Sequence, residues 1–220
     1  MSATDAPAGN PQRRAYWLKT LHQWHWISSA LSLLGLLLFT VTGFTLNHAT
    51  QIESKPQVSA RKAQLPPPLL AQIAVPADAA GTKESKLPPA PLPAALATWI
   101  ASELKIEVGA RQAEWSPEEI YLSLPRPGGD AWLRIARDTG ELEYERTDRG
   151  WVSYLNDLHK GRNTGAAWSW FIDLFALACL VFSITGLFIL KMHAANRPST
   201  WPIVALGLVL PLLLAILFIH

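Results

Sequence analysis

Four histidines flank two long apolar runs. His22 precedes the first and His48 closes it; His159 precedes the second and His193 closes it. If those runs pack antiparallel, His22 meets His193 and His48 meets His159, one imidazole pair on each side of a bilayer. A neutral imidazole is the commonest metal ligand, and paired axial imidazoles hold haem iron. The spacing agrees. At ~1.5 Å rise per residue, the helical distance from His22 to His48 is about 39 Å, longer than a hydrocarbon core of ~30 Å. No histidine lies in the middle of either run, so one cofactor at mid-membrane is not encoded. Each ring also has a plainer reading, an amphipathic side chain resting at headgroup depth.

Three elements must position these residues. Ile27–Leu46 and Trp201–Ile219 carry no charge, and Ala166–Leu190 carries a single acid, Asp173. Each is close to the roughly 20 apolar residues that cross a bilayer. Trp17, Trp24, Trp26, Trp168, Trp170 and Trp201 sit at the run ends, as interfacial aromatics do. Arg13, Arg14 and Lys19 precede the first run, and Lys191 and Arg197 lie between the second and third, while 49–165 is nearly balanced in charge. Short basic loops stay cytoplasmic. The expected order is a cytoplasmic N-terminus (1–26), a first span (27–48), an exported region, a second span (166–191), a cytoplasmic loop (192–200) and a third span ending outside (201–220). The first run is longer than a signal-peptide core and no small-residue cleavage site follows it, so it reads as an uncleaved anchor.

The exported region divides by composition. Residues 49–93 hold nine prolines, including Pro66-Pro67-Pro68 and Pro88-Pro89, and read as an extended, semi-rigid linker without helix or sheet. Residues 94–150 read as a folded module. Leu96, Trp99, Ile100 and Leu104 have helical spacing, with Gly109 able to end the helix; Ile120, Leu122 and Leu124 alternate as in a strand. Pro125–Asp130 is a turn, Ala131–Arg137 a second strand, Asp138-Thr139-Gly140 a tight turn, and Leu142 and Tyr144 open a third strand. One helix on a small antiparallel sheet is a marginal core at that size. Residues 151–165 are expected as an outer juxtamembrane segment. The fold class is membrane α-helical, with three transmembrane helices and a small exported α+β module.

Some chemistry is excluded. The only cysteine, Cys179, lies in a span, so the exported module has no disulfide; no C-x-x-C-H run exists for covalent haem attachment, and any haem is b-type. A net charge of +2, with its basic residues explained by topology, makes no case for nucleic acid. No G-x-G-x-x-G fingerprint supplies a nucleotide site.

Several neighbours could complete the sites. Arg162 follows His159 and could meet a haem carboxylate bidentately; Lys160 could do the same or simply anchor at the interface. Asp173 is an intramembrane acid, a functional candidate by its cost. It could orient His48 or His159 through a second hydrogen bond, or pair with Arg162. His25 shares a helical face with His22 and could replace it as ligand or bond beside it. His220 reads as an exposed terminal residue. Gly35, Gly43 and Gly186 would let backbones, or a porphyrin, approach closely, with plain helix packing the simpler role.

The chain resembles the PepSY-associated transmembrane proteins of bacteria. The resemblance rests on Leu21-His22-Gln23-Trp24, on Thr42-Gly43 with Leu46-Asn47-His48, on Asp138-Thr139-Gly140-Glu141, on Asn156-Asp157-Leu158-His159-Lys160-Gly161-Arg162, and on Thr185-Gly186-Leu187. It implies a bacterial inner-membrane location, a PepSY-like exported module over 94–150, and a histidine ligand at His22 rather than His25. Some members are haem proteins that reduce ferric siderophores, which implies bis-histidine haem b near both membrane faces, held by His22 with His193 and by His48 with His159.

Two functions follow as expectations. One is a dihaem electron-transfer protein that takes electrons from a quinol or a partner reductase and passes them to ferric iron or a ferric siderophore outside. The other is a non-enzymatic adaptor whose module binds a partner or restrains a protease, its histidines merely interfacial. A homo-oligomer is compatible with either.

Overall fold

The computed structural model describes residues 11–52, 55–74 and 87–219. His220 and the proline-region residues 75–86 lie outside them. By its internal contacts the chain forms two compact units, Met1–Phe39 with Trp170–His220, and Thr40–Ser169.

Helix α1 (Pro11–Asn47) contributes to both units. In the first unit it pairs with α5 (Ala166–His193), and α6 (Thr200–Phe218) follows a short 3₁₀ turn at Ala194–Asn196. All three helices are long and apolar enough to cross a membrane. The first runs well upstream of Ile27, so Trp17, His22 and Trp24 stand on the same rod as the span. Small residues make the α1–α5 seam. Ser28 and Ser32 are buried, and each hydroxyl donates to a carbonyl of its own helix, Trp24 and Ser28 respectively. A Cβ on Gly35 would stand 2.4 Å from the Phe175 ring, so only glycine admits that ring, which also stacks on Phe39 at 5.0 Å. α6 has no buried residue among those described.

The second unit is built on a six-stranded antiparallel sheet in the order β1-β6-β5-β4-β3-β2. The strands are β1 (Gln57–Gln64), β2 (Leu87–Pro91), β3 (Gln112–Trp115), β4 (Glu119–Ser123), β5 (Gly129–Ala136) and β6 (Glu141–Asp148). Helices α2 (Pro67–Ile73) and α3 (Ala94–Leu104) supply Ile73, Leu96, Ile100 and Leu104 to a core with Ile120, Leu122, Leu133, Ile135 and Leu142. The expected helix and the three expected strands are all present.

The linker expectation for 49–93 fails. β1 pairs with β6 along its whole length, α2 follows it, and β2 extends the sheet beyond β3. The prolines punctuate rather than abolish structure. Gln57–Gln64 contains none; the Pro66-Pro67-Pro68 run opens α2, where missing N–H groups cost nothing; and the prolines of β2 stand on an edge strand. Leu65, Ile73 and Leu92 from this region join the core, so the module is larger than 94–150 and less marginal than expected. α3 also ends earlier than Gly109, at Lys105, whose left-handed φ of 56° closes the helix.

Arg137 locks α2 to the sheet. It is buried, donates from Nε to the Ile73 carbonyl at 2.7 Å and from one terminal nitrogen to the Ser116 carbonyl at 2.6 Å, and lies over the Trp115 ring. Desolvation holds its pKa below the ordinary guanidinium value.

Candidate functional site

The first unit brings His22 and His193 together. Their ring centres are 6.3 Å apart and their planes lie at 89°. Each Nδ1 contacts a carbonyl one turn back on its own helix, Leu18 for His22 at 2.8 Å and Ile189 for His193 at 2.9 Å. A carbonyl only accepts, so each Nδ1 carries a proton, and Nε2 is the atom that a neutral ring would offer to a ligand. This is how proteins commonly prepare a ligating histidine: the second nitrogen fixes tautomer and ring orientation. Two imidazoles on opposite sides of one metal, each at ~2 Å, have ring centres about 6 Å apart. The observed separation is of that size, and the hydrogen bonds of both rings among the described residues are made through Nδ1.

His25 does something else. Its Nδ1 lies 3.1 Å from both the Phe182 carbonyl and the Thr185 hydroxyl oxygen, and its ring stacks on Phe182 at 4.5 Å. Thr185 spends its own proton on the Val181 and Phe182 carbonyls, so its oxygen accepts from His25. A Cβ on Gly186 would meet the His25 ring at 3.2 Å. His25 therefore clasps the Thr185-Gly186 step of α5, which separates its role from that of His22.

The second unit repeats the clasp with different parts. Residues 151–165, expected as a plain juxtamembrane segment, contain helix α4 (Gly150–Lys160), closed by Gly161 at a φ of 65°. His159, near its C-terminus, contacts the Thr42 hydroxyl through Nδ1 at 2.7 Å, and a Cβ on Gly43 would stand 3.4 Å from its ring. Asn156 accepts a hydrogen bond from Thr45 at 2.9 Å. Asp157 is buried and accepts from the Gly128 N–H at 2.8 Å. Gly128 has a φ of +74°, and a Cβ there would meet the Tyr154 backbone at 2.9 Å, so α4 rests directly on the β4–β5 turn. Asn156, Asp157 and His159 thus each hold a different partner.

The expected pairing of His48 with His159 is not formed in the same geometry. The His48 Nδ1 donates to the Phe44 carbonyl at 3.0 Å and its ring packs on Phe44 at 4.4 Å; no ring contact with His159 occurs among the described residues. His159 is instead engaged at Thr42 and Gly43. Asp173 is exposed and forms no hydrogen bond or ion pair among the described residues, so neither alternative for it, orienting a histidine or pairing with Arg162, is seen; His48 is bonded at the Phe44 carbonyl and His159 at the Thr42 hydroxyl. Arg162 is exposed, its backbone N–H bonded to the Asp157 carbonyl. No group of three or more His, Cys, Asp or Glu side chains suited to a metal ion gathers among the described residues.

Sequence reasoning missed Thr42 and Thr185 as histidine partners. A signal exists: Phe39-Thr40-Val41-Thr42-Gly43 and Phe182-Ser183-Ile184-Thr185-Gly186 share a Phe-x-x-Thr-Gly pattern late in each long helix.

Neither the curated proteins nor the solved structures compared with the chain include a match. A family model described as putative PepSY_TM-like does match, over residues 16–220; that span covers both histidine clusters, the sheet and all three membrane helices, and the chain belongs to this family.

Proposed function

We propose that this multi-pass membrane protein binds haem b and carries electrons across the bilayer to an exported acceptor, ferric iron or a ferric siderophore. The observation that carries the reading is the His22–His193 pair, 6.3 Å between ring centres with both Nδ1 atoms donated to helix carbonyls. Bound haem would supply one-electron redox chemistry at iron. The chain's own residues would do the rest. His22 and His193 would hold the haem through Nε2, and the Leu18 and Ile189 carbonyls would fix their tautomer and strengthen them as donors. His25, spent on Thr185, would hold α1 and α5 in register. His48 and His159 remain the candidate ligands of a second haem, with Arg162 close in sequence for a carboxylate. In this reading the basic N-terminal segment faces the cytoplasm of a bacterial inner membrane and the sheet module faces outward. The electron donor would be a quinol or a partner reductase.

The test is a reduced-minus-oxidised absorption spectrum of the purified protein with haem quantified per chain. Sharp b-type bands, lost equally in His22→Ala and His193→Ala, are expected. A folded protein that stays colourless after incubation with haem would overturn the reading.

A further inference from the structure

Where α1 and α5 run together near His22 and His193, a groove of about 890 Å³ opens between them. Three cations line it: Arg13, Arg14 and Lys191. Its walls are apolar, with Trp17 and Leu21 on α1 and Phe188 on α5. Arg14 donates to the Met192 carbonyl at 3.2 Å, a neutral partner that orients the guanidinium without cancelling its charge. No ion pair to Arg13, Arg14 or Lys191 forms among the described residues. The local charge is lopsided: in Met1–Phe39 and Trp170–His220 the acids are Asp5, outside the described residues, and Asp173, some eighteen residues before Lys191 on the same helix.

We propose that this groove is a binding site for an anionic membrane phospholipid, its phosphate held by Arg13, Arg14 and Lys191 and its acyl chain laid against Trp17, Leu21 and Phe188. Two chemistries must be met at once. Clustered guanidinium and ammonium groups without a carboxylate recognise phosphate, arginine doing so bidentately. The apolar wall continues from that cluster along helices apolar enough to span a bilayer, so an occupant with one charged end and one hydrocarbon end satisfies the whole groove. Free phosphate would satisfy the cations alone. Trp17, half-exposed on the wall, is the residue type that settles at the headgroup boundary. The site does not depend on haem, because neither His22 nor His193 lines it.

The experiment compares the full chain in nanodiscs of phosphatidylcholine with discs containing phosphatidylglycerol, reading thermal unfolding and lipid retained in native mass spectra. A Tm several degrees higher with phosphatidylglycerol is expected, together with one or more retained anionic lipids. The triple variant Arg13→Gln, Arg14→Gln, Lys191→Gln should lose both effects, while Lys19→Gln, which removes a charge from the same helix outside the groove, should keep them. Inorganic phosphate in phosphatidylcholine discs should not reproduce the gain. Equal Tm values in the two discs, an undiminished lipid effect in the triple variant, or an equal loss in Lys19→Gln would each overturn the proposal. Loss of haem bands in the triple variant with no dependence on lipid would assign the groove to porphyrin carboxylates instead.

Discussion

The two histidine clusters use one device in two ways. In each, an imidazole lies over a Thr-Gly step and bonds to the threonine oxygen: His25 over Thr185-Gly186 and His159 over Thr42-Gly43. In the first cluster the clasp has its own histidine, so His22 is left over to face His193 at 6.3 Å. In the second the clasp uses His159 itself, and His48 packs on Phe44 instead. The first cluster holds a third histidine, and that ring carries the clasp while the other two face each other. The two clusters look equivalent in a count of span-end histidines and differ in whether two of the rings face each other.

The largest test of this difference is spectroscopic. His22→Ala and His193→Ala should each abolish the same b-type component completely, while His25→Ala should retain it in a less stable protein; loss in His25→Ala with retention in His22→Ala would reverse the assignment. His48→Ala and His159→Ala should remove a second component together if one is present. Of His48→Ala and His159→Ala, only the second should also lower Tm, since His159 carries the clasp of this cluster.

A smaller effect belongs to α4. Asp157→Ala strips a buried N–H of its acceptor and should cost about 2 kcal/mol in denaturant unfolding. If His159 is held through α4, the same change should loosen His159 at Thr42 and leave the His22–His193 component untouched.

Thr42→Val and Thr185→Val remove the hydroxyl from each clasp and should cost about 1 kcal/mol each. Equal costs would support a shared device. A much larger cost at Thr42 would indicate that the second cluster depends on its single clasp more heavily.

The smallest effect is on pH. Hydrogen bonds from Lys62 and then Arg134 hold the Glu143 carboxyl below its ordinary range, and the Gly150 N–H does the same for Asp148. A depressed folded pKa gives stabilisation that is present above the unfolded carboxylate value of about 4 and is lost as pH falls through the folded value. The sheet unit should be flat in stability around neutrality and weaken in acid. Glu143→Gln should blunt that decline when unfolding is followed by tryptophan fluorescence from pH 7 to pH 3. Both groups are partly open to water, which screens them, so the change is small.

Much was legible without coordinates. The three spans were, because crossing a bilayer requires long uninterrupted apolar runs that few other structures need. So were α3 and the β4–β5–β6 meander, whose apolar spacing reports a single buried face. That a histidine ahead of the first span meets His193 followed from helix length and antiparallel packing, and the choice of His22 over His25 from the family resemblance. What sequence could not decide was set by partners distant in the chain. β1 is polar and exposed along nearly its whole length, so it carries no alternation to read; it is a strand because β6 offers an unpaired edge. β2 is a strand despite its prolines because it lies at the rim, where a missing N–H breaks no ladder. α4 is as long as α3 but buries Asn156 and Asp157 where α3 buries an apolar stripe, so its spacing does not announce it; it is held by Thr45, Gly128 and Thr42. Residue type and spacing thus determined which side chains could serve as ligands. Tertiary structure decided which of them remain free, because an imidazole has two nitrogens and only the folded chain assigns a partner to one and leaves the other open.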